Sequence, residues 1–181
     1  ELVCKSFLPS WRKMNYFTSV SSSAKLGGGV LLELSHEVDY AHFLFGQLDL
    51  LTGSVTRHHE SGLEVEDSAK LTLSSEQNAL IEVDVSFWSK HESRYGTISF
   101  ENGELSWCLR TGTVSSRDAF GKEESTKFEE NLDILFQRQF SSFTETIGNS
   151  GTGIISSQGV QDALNTNRLI DEAKKLGVDE I

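Results

Sequence analysis

The chain has 181 residues, which suits one domain, and a domain of that size can bury roughly 70% of its unfolded surface without a disulfide or metal staple. Its net charge of −11 repels phosphate backbones, so nucleic acid is not an expected partner, although one or two arginines can still hold a phosphorylated small ligand. No apolar run reaches the roughly 18 residues of a bilayer span and no signal peptide is visible, so the expectation is no membrane, a cytoplasmic location and two reduced thiols, Cys4 and Cys108.

Residues 1–8 read as a strand (Leu2, Val3, Phe7, Leu8) closed by Pro9 and Ser10. The chain begins at Glu1 inside that pattern, which suggests a piece of a longer protein or a processed product. Residues 9–29 form a long connection carrying Trp11, Arg12, Tyr16, Phe17, Ser21–Ser23 and Gly27–Gly29, and connections of this length are usually functional or mobile. After a short apolar segment, Val30–Leu34, Ser35 can cap a helix with Val38, Ala41, Phe43, Leu44 and Phe45, which Gly46 would end.

From about residue 48 to 110 the period changes to two. Ala79, Ile81, Val83, Val85 and Phe87 alternate with Glu82, Asp84 and Ser86, and Ala69, Leu71 and Leu73 alternate likewise. Asn102-Gly103 between Thr97–Phe100 and Leu105–Leu109 is a hairpin signal. Two helices close the chain. The first carries Leu132, Leu135, Phe136, Phe140, Phe143 and Ile147 on one face; the second carries Val160, Ala163, Leu164, Leu169, Ala173 and Leu176 and starts at Ser156 or Ser157. Between them, Gly148-x-x-Gly151-x-Gly153 reads as a turn. Consecutive strands without intervening helices predict an α+β fold and exclude a doubly wound parallel sheet.

The densest chemistry lies in Gly27-Gly28-Gly29-Val30-Leu31-Leu32-Glu33-Leu34-Ser35-His36-Glu37-Val38-Asp39-Tyr40. Glycines allow close backbone approach to a ligand, so Gly27, Gly28 and Gly29 are a possible approach point for a cofactor. His36 and Asp39 share a helix face, where Asp39 could orient the ring, and the positive helix end would keep His36 neutral and able to accept a proton. The competing reading is structural: a glycine-rich loop, and a histidine hydrogen-bonded within the scaffold. The run lacks GxGxxG spacing and opens no βαβ unit, so it is not a Rossmann phosphate loop.

The run GGGVLLELSHEVDYAHFLFG resembles the signature of the C-terminal domain of Gfo/Idh/MocA-type oxidoreductases (glucose–fructose oxidoreductase, inositol dehydrogenase and relatives). LPSWRKMNYFTS before it is similar to a subgroup associated with bacterial surface-polysaccharide sugars. The resemblance implies a large, open, mostly antiparallel sheet with helices on one face. It implies that residues 1–181 are a single C-terminal domain for substrate binding and oligomerisation, and that NAD or NADP is held mainly by an N-terminal Rossmann domain whose GxGxxG and Glu-Lys-Pro motifs do not occur here. The substrate would be a sugar or nucleotide sugar, and the domain alone would be inactive. His36 matches the family histidine that exchanges the substrate hydroxyl proton, and Glu33 matches an acidic residue that helps hold the substrate, here Glu instead of Asp and one position closer to the histidine.

Arg12, Tyr16, Asp39 and Tyr40 are further candidates for substrate contact; Trp11-Arg12 could equally pin the connection. Arg94 and Tyr95 read as surface or interface residues, and His42 and His91 as solvated. His58, His59 and Glu60 do not make a metal site, because neighbouring strand residues face opposite ways, and no metal is expected. The uncovered sheet face, with Ile81, Val83, Val85 and Phe87 as its apolar side chains, predicts a homo-oligomer, dimer or tetramer. A non-catalytic module that uses the sheet only for self-association is the alternative from a different class.

Overall fold

A computed structural model describes residues 1–128, 131–148 and 160–181. Strand β1 (Leu2–Phe7) runs into a four-residue helix, α1 (Leu8–Trp11), so Pro9 opens a helical turn where it was expected to end a strand. The connection that follows is wound into three single 3-10 turns, Tyr16–Thr18, Val20–Ser22 and Ala24–Leu26. Its Ser, Thr and Asn content has a local purpose. The Asn15 side chain accepts from the Phe17 N–H, and the hydroxyls of Thr18, Ser19 and Ser22 donate to carbonyls three residues back.

Helices α2 (Val30–Glu33) and α3 (His36–Phe45) follow, with Ser35 and Gly46 at the ends of α3 as the sequence implies. Then come β2 (Leu48–Arg57), β3 (Ser68–Ser75), β4 (Leu80–Ser86), β5 (Trp88–Phe100), β6 (Gly103–Cys108), β7 (Thr113–Asp118) and β8 (Glu123–Lys127). Helices α4 (Leu132–Gly148) and α5 (Val160–Lys174) and a two-residue strand, β9 (Asp179–Glu180), close the chain. The expected turn at Gly151 and Gly153 and the helix start at Ser156 or Ser157 lie outside the described residues.

One sheet runs in the order β8-β7-β6-β5-β1-β4-β3-β2-β9. It is the open, mostly antiparallel α+β sheet expected, and the hairpin at Asn102-Gly103 joins β5 to β6 through Phe100↔Gly103. Two pairs are parallel, β1 with β4 and β2 with β9. The first strand therefore inserts into the middle of the sheet, and this decides the site: Cys4 of β1 lies beside Arg94 of β5.

Helices α2, α3 and α5 pack on one face. Leu2, Val83, Val85, Leu71 and Leu73 from the strands join Val30, Leu31, Val38, Leu169 and Ile170 from the helices in one buried core. This corrects the expectation for Ile81, Val83, Val85 and Phe87. They are 0–2% exposed and face the helices, so they supply no apolar surface for self-association. By alternation the opposite face carries Lys5, Ser54, Thr56, Lys70, Asp84 and Ser86, which line an open depression of about 880 Å³. Among the described residues, no helix is long and apolar enough to cross a membrane.

Candidate functional site

The first residue of α3 is His36, and its side chain is 41% exposed. The second, Glu37, is on the face that packs down on the sheet and is 1% exposed. A buried carboxylate needs a partner, and β5 supplies it: Arg94 Nε donates to Glu37 Oε1 at 2.6 Å. Arg94 keeps 38% of its side chain exposed, as a surface residue would, but its alternation places it on the helix side, across from Cys4. His36 Nε2 stands 3.4 Å from Glu37 Oε1 and 3.8 Å from Cys4 Sγ. Tyr40, one turn on, sets its ring edge-on to Trp107 at 6.0 Å.

Burial and then the Arg94 charge lower His36 from 6.5 to about 4, while Asp39 acts in the opposite direction. The ring is thus neutral at physiological pH, as expected, but burial and a cation keep it so, where the sequence pointed to the helix end. Burial pushes Glu37 up against the restraining charge of Arg94, and pushes the Cys4 thiol up to about 11. Tyr40 is raised as well, by burial and then by Glu37.

The other expected site residues are placed differently. Asp39 accepts a hydrogen bond from Thr166 Oγ1 of α5 at 3.3 Å, and the Glu37 carboxylate lies within ion-pair distance of His36. Glu33 ends α2, half-buried, with its backbone N–H bonded to the Gly29 carbonyl. Arg12 and Tyr16 line a separate cavity of about 170 Å³ with Trp11, Met14 and Val20, and Tyr16 donates to the Ser61 carbonyl at 3.3 Å. His36 does not line that cavity.

The glycine run is filled by the chain itself. A Cβ on Gly28 would meet the carbonyls of Val20 and Ser21 at 2.4–2.5 Å, and one on Gly29 the Glu66 carboxylate at 2.3 Å. Gly29 has φ +111°, and buried Glu66 accepts from the Leu31 N–H at the start of α2. Close backbone approach is required here, but toward Glu66 and the 3-10 turns. At Gly28 and Gly29 the chain itself takes that space. Gly27, the exposed member, is the left-handed end of the preceding turn.

Two further histidines have partners inside the fold. His42, expected in solvent, is buried, with Nδ1 3.0 Å from the Gly46 carbonyl oxygen. His58 pairs with fully buried Asp67, Nδ1 to Oδ1 at 2.6 Å, a contact the sequence reading missed. A polar Asp immediately before a strand was the only signal for it.

Residues 5–106 match the model of the GFO/IDH/MocA C-terminal domain. A 3-ketoreductase from Actinomadura kijaniata, solved in complex with NADP and TDP-benzene, superposes with a TM-score of 0.75 at 12% identity, over 99% of this chain and 53% of that one. An inositol dehydrogenase homolog from Azotobacter vinelandii, complexed with NAD+, gives 0.74 at 14% identity, over 98% and 56%. The chain spans about half the length of these structures. No curated protein matches it.

Proposed function

Because the chain belongs to the GFO/IDH/MocA family, which it matches over more than half its length, we propose that it is the substrate-side domain of an NAD(P)-dependent oxidoreductase acting on a hydroxyl or carbonyl of a sugar or nucleotide sugar. The observation that carries this reading is a half-exposed imidazole at the start of α3, held neutral by burial and then by the charge of Arg94, which pairs with buried Glu37 beneath it. A neutral imidazole can take the proton of a hydroxyl that is being oxidised. Tyr40, four residues further along α3, would offer its phenol to a sugar hydroxyl. Arg12 and Tyr16, exposed and half-exposed at their own cavity, suit a more distant part of the substrate, such as a phosphate. Glu33 closes the α2 end of the same segment.

The nicotinamide, which gives or takes the hydride when bound, would be held mainly by the part of the enzyme outside this domain, and the domain alone would be inactive. The enzyme would act in the cytoplasm. Self-association, as dimer or tetramer, would use the sheet face opposite the helices, whose side chains, Lys5, Ser54, Thr56, Lys70 and Asp84 among them, are mostly polar.

The test is an assay of the full-length protein against a panel of sugars and nucleoside-diphosphate sugars, following nicotinamide absorbance with NAD and NADP. Turnover of at least one sugar, lost in His36→Asn while nucleotide binding persists, is the expected result. Nucleotide-dependent turnover that His36→Asn leaves intact would remove His36 from the reaction. The absence of nucleotide binding in the full-length protein would favour a self-association module.

A further inference from the structure

Cys4, His36 and Glu37 present three ligand atoms within 4.8 Å of one another, Sγ, Nε2 and a carboxylate oxygen. They come from β1 and α3, and their convergence follows from the insertion of β1 beside β5 under the helix. Nothing in the sugar chemistry proposed above requires a thiol at this point.

Zinc bound tetrahedrally has Zn–S of about 2.3 Å and Zn–N of about 2.0–2.1 Å, so its ligand atoms sit about 3.6 Å apart for S and N and about 3.4 Å apart for N and O. The observed separations are 3.8 Å for Cys4 Sγ to His36 Nε2 and 3.4 Å for His36 Nε2 to Glu37 Oε1. Two edges of the triad are thus spaced as in a zinc tetrahedron, and the third, Cys4 Sγ to the Glu37 carboxylate, is within 4.8 Å. The ion could reach it, since His36 is 41% exposed at its side chain, and a water or substrate oxygen would take the fourth corner. Glu37 Oε1 has two lone pairs; Arg94 Nε–H occupies one and orients the carboxylate, as an outer hydrogen bond to a metal ligand does. Arg94 also brings a positive charge, which opposes the ion and makes the site weaker than a closed structural one.

We propose that Cys4, His36 and Glu37 form a three-ligand site for a divalent zinc-like cation, open at its fourth position. Binding releases the Cys4 proton to solvent, so that thiolate and carboxylate meet the ion. It also occupies Nε2 of His36, so on the reading given above zinc is an inhibitor of the enzyme; the binding itself does not depend on that reading.

The test is titration of the metal-free full-length protein with Co2+ and then Zn2+. One Co2+ should bind with a thiolate-to-metal charge-transfer band in the near ultraviolet, and stoichiometric Zn2+ should displace it. Cys108→Ser should keep the band; Cys4→Ser should abolish it, and His36→Asn should weaken binding. Circular dichroism and thermal unfolding show whether each variant is folded. His36→Asn alters a half-exposed residue and serves if Cys4→Ser does not fold. Absence of a thiolate band in the natural protein, or a band that survives Cys4→Ser and is lost in Cys108→Ser, overturns the proposal. If sugar turnover is absent while the band is present, the enzyme reading fails and the metal site stands.

Discussion

His36 and His58 each meet a buried carboxylate, and the two pairs differ in what else that carboxylate holds. Asp67 spends both oxygens on one loop: Oδ1 lies 2.6 Å from the His58 ring, and Oδ2 accepts the His58 backbone N–H at 2.9 Å. Ser68 Oγ adds a third hydrogen bond at 3.1 Å. The pair clamps the end of β2 to the start of β3. Glu37 is instead committed to Arg94 and lies 3.4 Å from a ring that burial and Arg94 hold neutral. On the proposed reading the shorter contact belongs to the scaffold, and the looser one leaves an imidazole able to exchange a proton. Distance between a histidine and a carboxylate does not identify a reactive pair; what matters is whether the carboxylate's charge is already neutralised.

The largest expected effect breaks or upholds that contrast directly. On the proposed function, His36→Asn in the full-length protein should lower kcat by about a hundred- to ten-thousand-fold, with folding and nucleotide binding intact. Retention of more than about a tenth of kcat would place His36 with the scaffold. Asp67→Ala should do the reverse, costing roughly 2–3 kcal/mol by leaving the His58 donors unsatisfied, with kcat per folded molecule unchanged. Urea unfolding and active-site-normalised turnover read the two effects separately. A large fall in kcat at unchanged stability would make His58 the functional pair.

The contrast was only partly legible in the sequence. β4 and the β5–β6 hairpin announced themselves because alternation and Asn-Gly are local signals. The ends of α3 were equally local, at Ser35 and Gly46. β7 and β8 were missed because Thr113–Asp118 and Glu123–Lys127 have little apolar surface to alternate; β8 is an edge strand exposed throughout, and its charges discourage further pairing. The site was legible as far as one helix shows it. Arg94 lies 57 residues from Glu37, and Cys4 lies 32 from His36, so neither contact follows from any spacing. The oligomer argument failed for a related reason: period two says that one face is apolar, not which face the helices cover.

Asp39 sharpens the comparison at smaller scale. Its side chain accepts from Thr166, tying α3 to α5, and its charge acts on His36 against burial and Arg94. Asp39→Asn keeps the acceptor oxygen and removes only the charge, so kcat should change by less than about tenfold. A loss equal to that of His36→Asn would show that Asp39, and not the Glu37–Arg94 pair, governs the ring.

The smallest effect is on stability against pH, and it reports whether the His36 ring is truly desolvated in the fold. Its folded value, about 4, lies below its ordinary 6.5, so between those values the unfolded chain binds the proton more readily than the folded one. The contribution is therefore complete above 6.5 and is lost as pH falls toward 4. Glu37, raised by burial, has the opposite slope above its ordinary 4.5, so the natural chain alone gives a mixture of the two. Comparison with His36→Asn separates them: from about pH 7 to about pH 5 the natural chain should lose more urea resistance than the variant. Because the side chain is 41% exposed, solvent screens the effect and the gap between the curves should be modest. Parallel curves would mean that the ring titrates as it does in water, and that Glu37 and Arg94 no more define its environment than Asp67 defines a reactive His58.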